Sequence, residues 1–498
     1  TAPLPLSSTN KSDRLIAVYK LEGLSMRHHL IAVFGSLILC LISPLSWSTN
    51  TLSEIYELAL QNDPQLKAAK AEYLAGSETK NINRARLLPQ ISAVGSYSEE
   101  EYEGASTQVL GQNAVFGRKG HTDSDSKNYS ITLSQPLFDL PAWFSFQQGK
   151  ELSQQAKLQF SADQQSLILR SADSYFNVLR ESENLETARA EEKAIKRQLE
   201  QTRERFEVGL LPITDVHEAQ ASYDNATVNT LEAEGALDIA FEALTVLTGQ
   251  PHAQLAGLMP DFPIKKPTPL SREDWVQFAL KNNFSLKAAE HARDAADNHA
   301  QSKKYEHMPT ITGSLSYYDN RNSSEFRGAD ISTPDQPFTS PSEINQDGHT
   351  VGVQLNVPIF TGGLVSAERR QAHQLFAQAK ENYISSHRNT VQQARSQHLQ
   401  VLTNTARVNA RKQAITSSNS ALEATEAGYE AGTRNIVDVL IAQRGLYQAR
   451  RDYANARYDY IASFLRLKEV AGQLSPEDIN QLNHWLNPEI IVTKADVQ

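Results

Sequence analysis

Carboxylates and imidazoles are abundant in this chain (58 Asp and Glu, 13 His), yet they never fall into the spacings that bond-making chemistry needs. There is no His-Glu-x-x-His to hold a zinc-bound water, no Gly-x-Ser-x-Gly for a serine nucleophile, no phosphate loop and no dinucleotide fingerprint. His217-Glu218 is a lone pair on a helix, and Thr361-Gly362-Gly363 follows a strand as a turn. No enzyme and no cofactor are expected. The residues that do form a pattern belong to a phrase written twice. Residues 204–220 read ERFEVGLLPITDVHEAQ, and residues 427–443 read AGYEAGTRNIVDVLIAQ. Each copy has a glycine turn (Gly209, Gly432) followed by an aspartate (Asp215, Asp438) at the start of a helix, where a carboxylate can cap free N–H groups. The copies differ where Phe206 and Leu211 give way to Tyr429 and Arg434.

The elements that position these residues belong to a larger duplication. Leu66-Lys67-Ala68-Ala69 recurs as Leu286-Lys287-Ala288-Ala289, Pro89 matches Pro309, and Pro136-Leu137-Phe138 matches Pro358-Ile359-Phe360. Order and spacing are kept almost unchanged, which is the mark of a tandem repeat. The first repeat is expected over 49–249, with strands at about 90–102 and 127–138 and a helical hairpin over 142–248. The second is expected over 271–472, with strands at about 310–319 and 350–360 and a hairpin over 364–471. Between them, 250–270 holds Pro251, Pro260, Pro263, Pro267 and Pro269 and reads as a linker with little regular structure. Each repeat opens with a short helix (about 51–85, broken at Asp63-Pro64, and about 271–305). Residues 473–498 read as an equatorial or flexible tail.

Ahead of the repeats, Met26-Arg27-His28-His29 precedes the mostly apolar Leu30–Ile42, and Ser46-Trp47-Ser48 offers small residues to a signal peptidase. Residues 26–48 are therefore expected to be a secretory signal, and 1–25 an extra upstream segment. The single cysteine, Cys40, lies inside the signal, which leaves no disulfide and no thiolate metal site beyond it. A net charge of −10 argues against a nucleic-acid partner.

From Lys150 to Val208, and from Leu364 to Ala427, neither glycine nor proline interrupts the chain. A continuous helix of that size is about 90–100 Å long, which suits a coiled coil or helical tube. The strands alternate. Ile131 and Leu133 oppose Ser130, Thr132 and Ser134, and Val351, Val353 and Leu355 oppose Thr350, Gly352, Gln354 and Asn356. Ile311, Leu315 and Tyr317 oppose Thr312, Ser314 and Ser316, and Ile91, Ala93 and Tyr97 oppose Ser92, Ser96 and Ser98, with Val94 out of pattern. One apolar and one small polar face suits a strand between lipid and a wet lumen. Four strands cannot enclose water, since single-chain barrels begin at about eight. Copies of the chain must pool their strands. Three would give twelve, although two or four are also permitted. The polar stretches of about 103–127 and 319–349 are expected as long loops at the outer rim.

Further motifs carry a resemblance. They are Gly432-Thr433-Arg434-Asn435-Ile436-Val437-Asp438-Val439-Leu440, Leu446-Tyr447-Gln448-Ala449 and Ala454-Asn455-Ala456-Arg457-Tyr458. In the first half they are Gln198-Leu199-Glu200-Gln201-Thr202, Arg205-Phe206, Ile213-Thr214-Asp215-Val216 and Ala172 with Tyr175-Phe176-Asn177-Val178-Leu179. Through these the chain resembles the TolC family of outer-membrane efflux ducts over about residues 50–485. The resemblance implies a homotrimer in the outer-membrane lipid of a Gram-negative bacterium. Its fold is mainly α with a membrane β-barrel: twelve strands, four per protomer, continued by a long α-helical barrel in the periplasm, with a mixed equatorial region formed by 250–270 and the tail after Gly472. It implies drug efflux and type I protein secretion, with periplasmic adaptor proteins and inner-membrane RND, ABC or MFS transporters as partners. It also implies a gate at the hairpin tips, the second-half hairpin moving. Tyr429 would bond Asp215, Arg434 would bond the Thr214–Asp215 region, and Asp438 would face the pore. The family pattern has a second aspartate one turn on, where this chain has Ile441, so one carboxylate ring with an apolar collar is expected. The alternative is a secreted structural or adhesive coiled-coil surface protein, which explains long helices but not alternating strands or unlike tips.

Overall fold

The computed structural model describes residues 49–110 and 114–494. The upstream segment 1–25, the signal 26–48 with Cys40, and the last four residues of the tail lie outside the described residues. The chain opens with α1 (Leu52–Asn62) and α2 (Pro64–Ala85). Thr51 and Glu54 close a reciprocal capping box at the start of α1. At the α1–α2 break the Asp63 carboxylate accepts the Leu66 N–H at 3.0 Å and the Arg170 guanidinium at 2.6 Å, with Pro64 as the first residue of α2.

Two hairpin strands follow, β1 (Gln90–Leu110) and β2 (Ala114–Phe138), then the long α3 (Leu140–Glu207) and its return α4 (Ile213–Thr248). Asp139 caps α3 at the Ala142 N–H (2.8 Å) with Pro141 in the first turn, so the helix begins two residues ahead of the expected hairpin. Its 68 residues extend about 100 Å. After β3 (Gln254–Leu258), the second half repeats the order with α5 (Arg272–Asn282), α6 (Phe284–Lys304), β4 (Thr310–Asp330), β5 (Phe338–Asn356), α7 (Leu364–Glu430) and α8 (Ile436–Val470). The chain closes with α9 (Pro476–Asn483) and β6 (Leu486–Thr493).

Four expectations are corrected. The single helix over about 271–305 is two, because Asn283 does what Asp63 does: its Oδ1 accepts the Leu286 N–H at 2.8 Å while its Nδ2 donates to the Val470 carbonyl at 3.0 Å. The segment 250–270, expected to have little regular structure, contains β3, which pairs antiparallel with β6 of the tail. The long loops are largely strand, since β1–β2 pairing runs from Gln90↔Ser134 to Leu110↔Ala114 and β4–β5 pairing from Thr310↔Asn356 to Gly328↔Phe338. Backbone ladders need no apolar side chains, so the strands continue past the alternating segment into a polar region. The strand expected to reach about residue 360 stops at Asn356, because Pro358 has no N–H to donate.

The sheet order is β1-β2-β4-β5, all antiparallel, leaving β1 and β5 as edges among the described residues. On one face Ile91, Ile131, Leu315, Val351, Val353 and Leu355 are all about half exposed or more. On the other, Thr132 and Ser316 share a hydrogen bond at 2.9 Å. An apolar face of this extent standing bare is a surface awaiting lipid. The main core sits at the waist of the helices instead, where Tyr175, Phe176, Phe241, Leu244, Tyr458 and Ile461 pack against Leu255 of β3 and Leu486 of β6. Tyr175 donates to the Ala256 carbonyl at 2.6 Å, pinning β3 to α3.

Candidate gate at the hairpin tips

Both hairpins turn on a glycine with positive φ, Gly209 at 78° and Gly432 at 75°, as a left-handed helix end requires. Beyond that turn the two tips are built differently. At the first, Pro212 occupies the N-cap position of α4 and no side chain caps the helix. At the second, Asn435 accepts the Asp438 N–H at 2.9 Å while the Asp438 carboxylate accepts the Asn435 N–H at 3.4 Å. Asp438 is therefore the third helical residue of a capping box, not the cap itself, and Asp215 holds the matching position in α4.

The tips of one chain are held together by an apolar cluster. Ile195 and Leu199 of α3, Ala219 and Ala226 of α4, and Ile436, Val439 and Leu440 of α8 are buried against one another. Tyr429 at the end of α7 packs onto this cluster, with the Arg205 guanidinium 5.2 Å from its ring centre. The Tyr429 hydroxyl is buried and has no hydrogen-bond partner. An orphaned buried hydroxyl costs about 1–3 kcal/mol.

The structure does not bring Tyr429 to Asp215. The Asp215 carboxylate instead accepts a hydrogen bond from its neighbour Thr214 at 3.3 Å. Nor does it bring Arg434 to the Thr214–Asp215 turn: the guanidinium lies 3.8 Å from Asp438 one helical turn on, with 61% of its side chain exposed. That i,i+4 pair is the local contact a helix start offers once no second hairpin supplies a carboxylate within reach. Ile441 is 60% exposed, three residues beyond Asp438 and so on the same side of α8. Sequence reading placed Arg205 at the tip, in the Arg205-Phe206 motif, but gave it no partner there. It stands beside the Phe206 that replaces Tyr429 in the first copy, but its partner is known only once α3 and α7 are set side by side.

Comparison with known proteins fits this architecture. The outer membrane efflux protein family matches the chain over residues 55–250 and 275–473. The outer membrane protein TolC of Vibrio cholerae is 37% identical over 459 residues, covering 92% of this chain and 98% of that protein. The alkaline protease secretion protein AprF of Pseudomonas aeruginosa is 30% identical, covering 92% of this chain and 91% of AprF. Among solved structures, the outer membrane protein VceC of Vibrio cholerae has the same fold, with a TM-score of 0.68 at 18% identity, over 84% of this chain and 96% of VceC. Relatives of this kind leave no support for an adhesive coiled-coil surface protein. The chain belongs to the outer membrane efflux protein family, and it serves as an exit duct in the outer membrane of a Gram-negative cell, its helical barrel in the periplasm.

Proposed function

We propose that three copies of the chain close a twelve-stranded barrel in the outer membrane and a continuous helical tube beneath it, and that the tube is gated at the hairpin tips. The observation that carries this reading is the four-stranded sheet: one face apolar and bare, and both edges, β1 and β5, unpaired among the described residues. Edges of this length are not left open in water or lipid, and closure by sister strands removes them. Twelve is even, so an antiparallel ladder can close through β1 of one copy and β5 of the next.

The cargo suggested by the relatives is of two kinds, small toxic compounds and secreted proteins, delivered by inner-membrane transporters through periplasmic adaptors. No catalysis is required. The duct need only open and close. In the closed gate Tyr429 and Arg434 engage the Thr214–Asp215 turn, and Asp438 rings the axis beside an Ile441 collar. Each exposed ion pair is worth only about 0–1 kcal/mol, so the links hold closure collectively and remain individually breakable. An adaptor that binds the open tip better shifts the balance. Mass analysis of detergent-extracted protein should give three chains, and planar lipid bilayers should show a low resting conductance. A monomer that stays soluble without detergent would end the proposal.

A further inference from the structure

We propose that the outward-facing flank of the β1–β2 hairpin carries a divalent transition-metal site of the zinc class, formed by Glu101, His121 and Asp123. The His121 Nε2 lies 2.8 Å from a Glu101 carboxylate oxygen and 2.9 Å from an Asp123 oxygen. The three ligand atoms fall within 4.8 Å of one another. A neutral imidazole nitrogen carries at most one proton, so it cannot give a full hydrogen bond to both carboxylates. A metal ion can accept the nitrogen lone pair and both carboxylates together.

The ladder supplies a second reason. Glu101 stands directly opposite Asp123, and Asp123 directly opposite Glu325, so three carboxylates line up across β1, β2 and β4. Like charges in directly opposed positions destabilise a sheet. Arg327 answers on one side, 2.9 Å from Glu325 and 3.5 Å from Asp123. On the other side, Glu101 has only the imidazole, and Glu103 faces His121 in the next row. A doubly charged ion between Glu101 and Asp123 removes the imbalance and ties β1 to β2. The mixed nitrogen–oxygen donor set favours a zinc-class ion over magnesium, which prefers oxygen alone.

Alternation places these side chains on the face shared with Ile131, Leu133 and Tyr129, the lipid-facing side of the sheet. A tilted strand crosses the bilayer in about 9–11 residues. Counted from Gln90, Glu101 then stands just beyond the hydrocarbon, outside the barrel wall and away from the tip gate. A second cluster of similar composition, Glu151, His291 and Asp294, lies between α3 and α6. Its Asp294 is already held by Arg293 at 2.6 Å, which makes it the weaker candidate.

The test uses full-length protein in detergent, stripped with chelator and equilibrated with Zn2+ alone. Zinc retained after desalting should approach one ion per chain. It should vanish in His121→Ala and bind about tenfold more weakly or worse in Glu101→Gln and Asp123→Asn, while His291→Ala retains it. Bilayer conductance should be unchanged in all three flank variants, which shows that they fold and assemble. Full zinc retention in His121→Ala, loss in His291→Ala instead, or no binding to the wild type at about 100 μM free zinc would each overturn the assignment.

Discussion

Tyr429→Phe separates the two arrangements of the gate with one oxygen atom. In the arrangement described here the hydroxyl is buried without a partner, so its removal relieves a cost and leaves the ring on its apolar cluster and under Arg205. In the proposed closed gate the same hydroxyl donates to the Asp215 carboxylate, a bond to a charged group worth about 1.5–3 kcal/mol. Both effects shift the balance away from closure, so the lost bond alone sets a lower bound on the change. Taking about 1.5 kcal/mol for each of three copies gives about 4.5 kcal/mol, and at about 1.4 kcal/mol per tenfold the open state gains about three orders of magnitude. Adding Arg434→Ser contributes less per copy, because the side chain is largely exposed and an exposed ion pair is worth about 0–1 kcal/mol. Single-channel recording in planar bilayers reads the result directly. Tyr429→Phe should raise the open fraction and the double variant should raise it further, with the trimer intact in detergent. Wild-type conductance in the double variant refutes the gate at these residues.

The proposed pore position of Asp438 and Ile441 offers a second measurement: Asp438→Ala should weaken block by multivalent cations, and Ile441→Asp should strengthen it by adding a second carboxylate ring. Asn435→Ala removes the capping side chain of α8 and should cost about 1 kcal/mol per tip, read as a lower melting temperature of the detergent-extracted protein. At the α1–α2 break, burial pushes the Asp63 carboxyl up, but the Arg170 guanidinium and the Leu66 N–H outweigh it and hold its pKa below the usual carboxylate range. A depressed folded-state pKa stabilises the fold above the unfolded carboxylate pKa, and that stability is lost as pH falls through the lower folded value. Asp63→Asn should therefore lower the melting temperature at neutral pH, with a difference from wild type that shrinks on acidification.

The long helices were legible because an unbroken run without glycine or proline has few other ways to fold, and the membrane portions of the strands because a period of two survives in residues such as Ile131, Leu133, Val351 and Val353. The upper parts of β1, β2, β4 and β5 were not. Above the alternating segment both faces are polar, and the backbone ladder that continues there leaves no trace in side-chain type. The β3–β6 pair joins Gln254–Leu258 to Leu486–Thr493, strands too short and too far apart in sequence for either to announce the other. Asn283 was missed for a different reason. It breaks the α5–α6 path by side-chain hydrogen bonds to Leu286 and Val470 rather than by a proline. At the tips the sequence showed which residues differ between the copies, but not that Arg205 covers Tyr429, since that contact depends on how α3 and α7 are laid together.

The difference between the tips bears on which one moves. Pro212 fixes its own φ and restricts Leu211 before it, so the turn into α4 is set by covalent geometry and is not undone by rearranging hydrogen bonds. The turn into α8 is set by the Asn435–Asp438 box and a 3.8 Å contact to Arg434, all of which can be exchanged for other partners at small net cost. A duplicated hairpin given a proline in one copy and exchangeable polar contacts in the other has one tip suited to stay and one suited to leave. The aromatic replacement follows the same division. Phe206 has no hydroxyl to engage or release, whereas Tyr429 carries one that is unsatisfied in one arrangement and can be satisfied in another. The second-half hairpin is thus the one whose local chemistry supports two states of similar energy, as a gate worked by a docking partner requires.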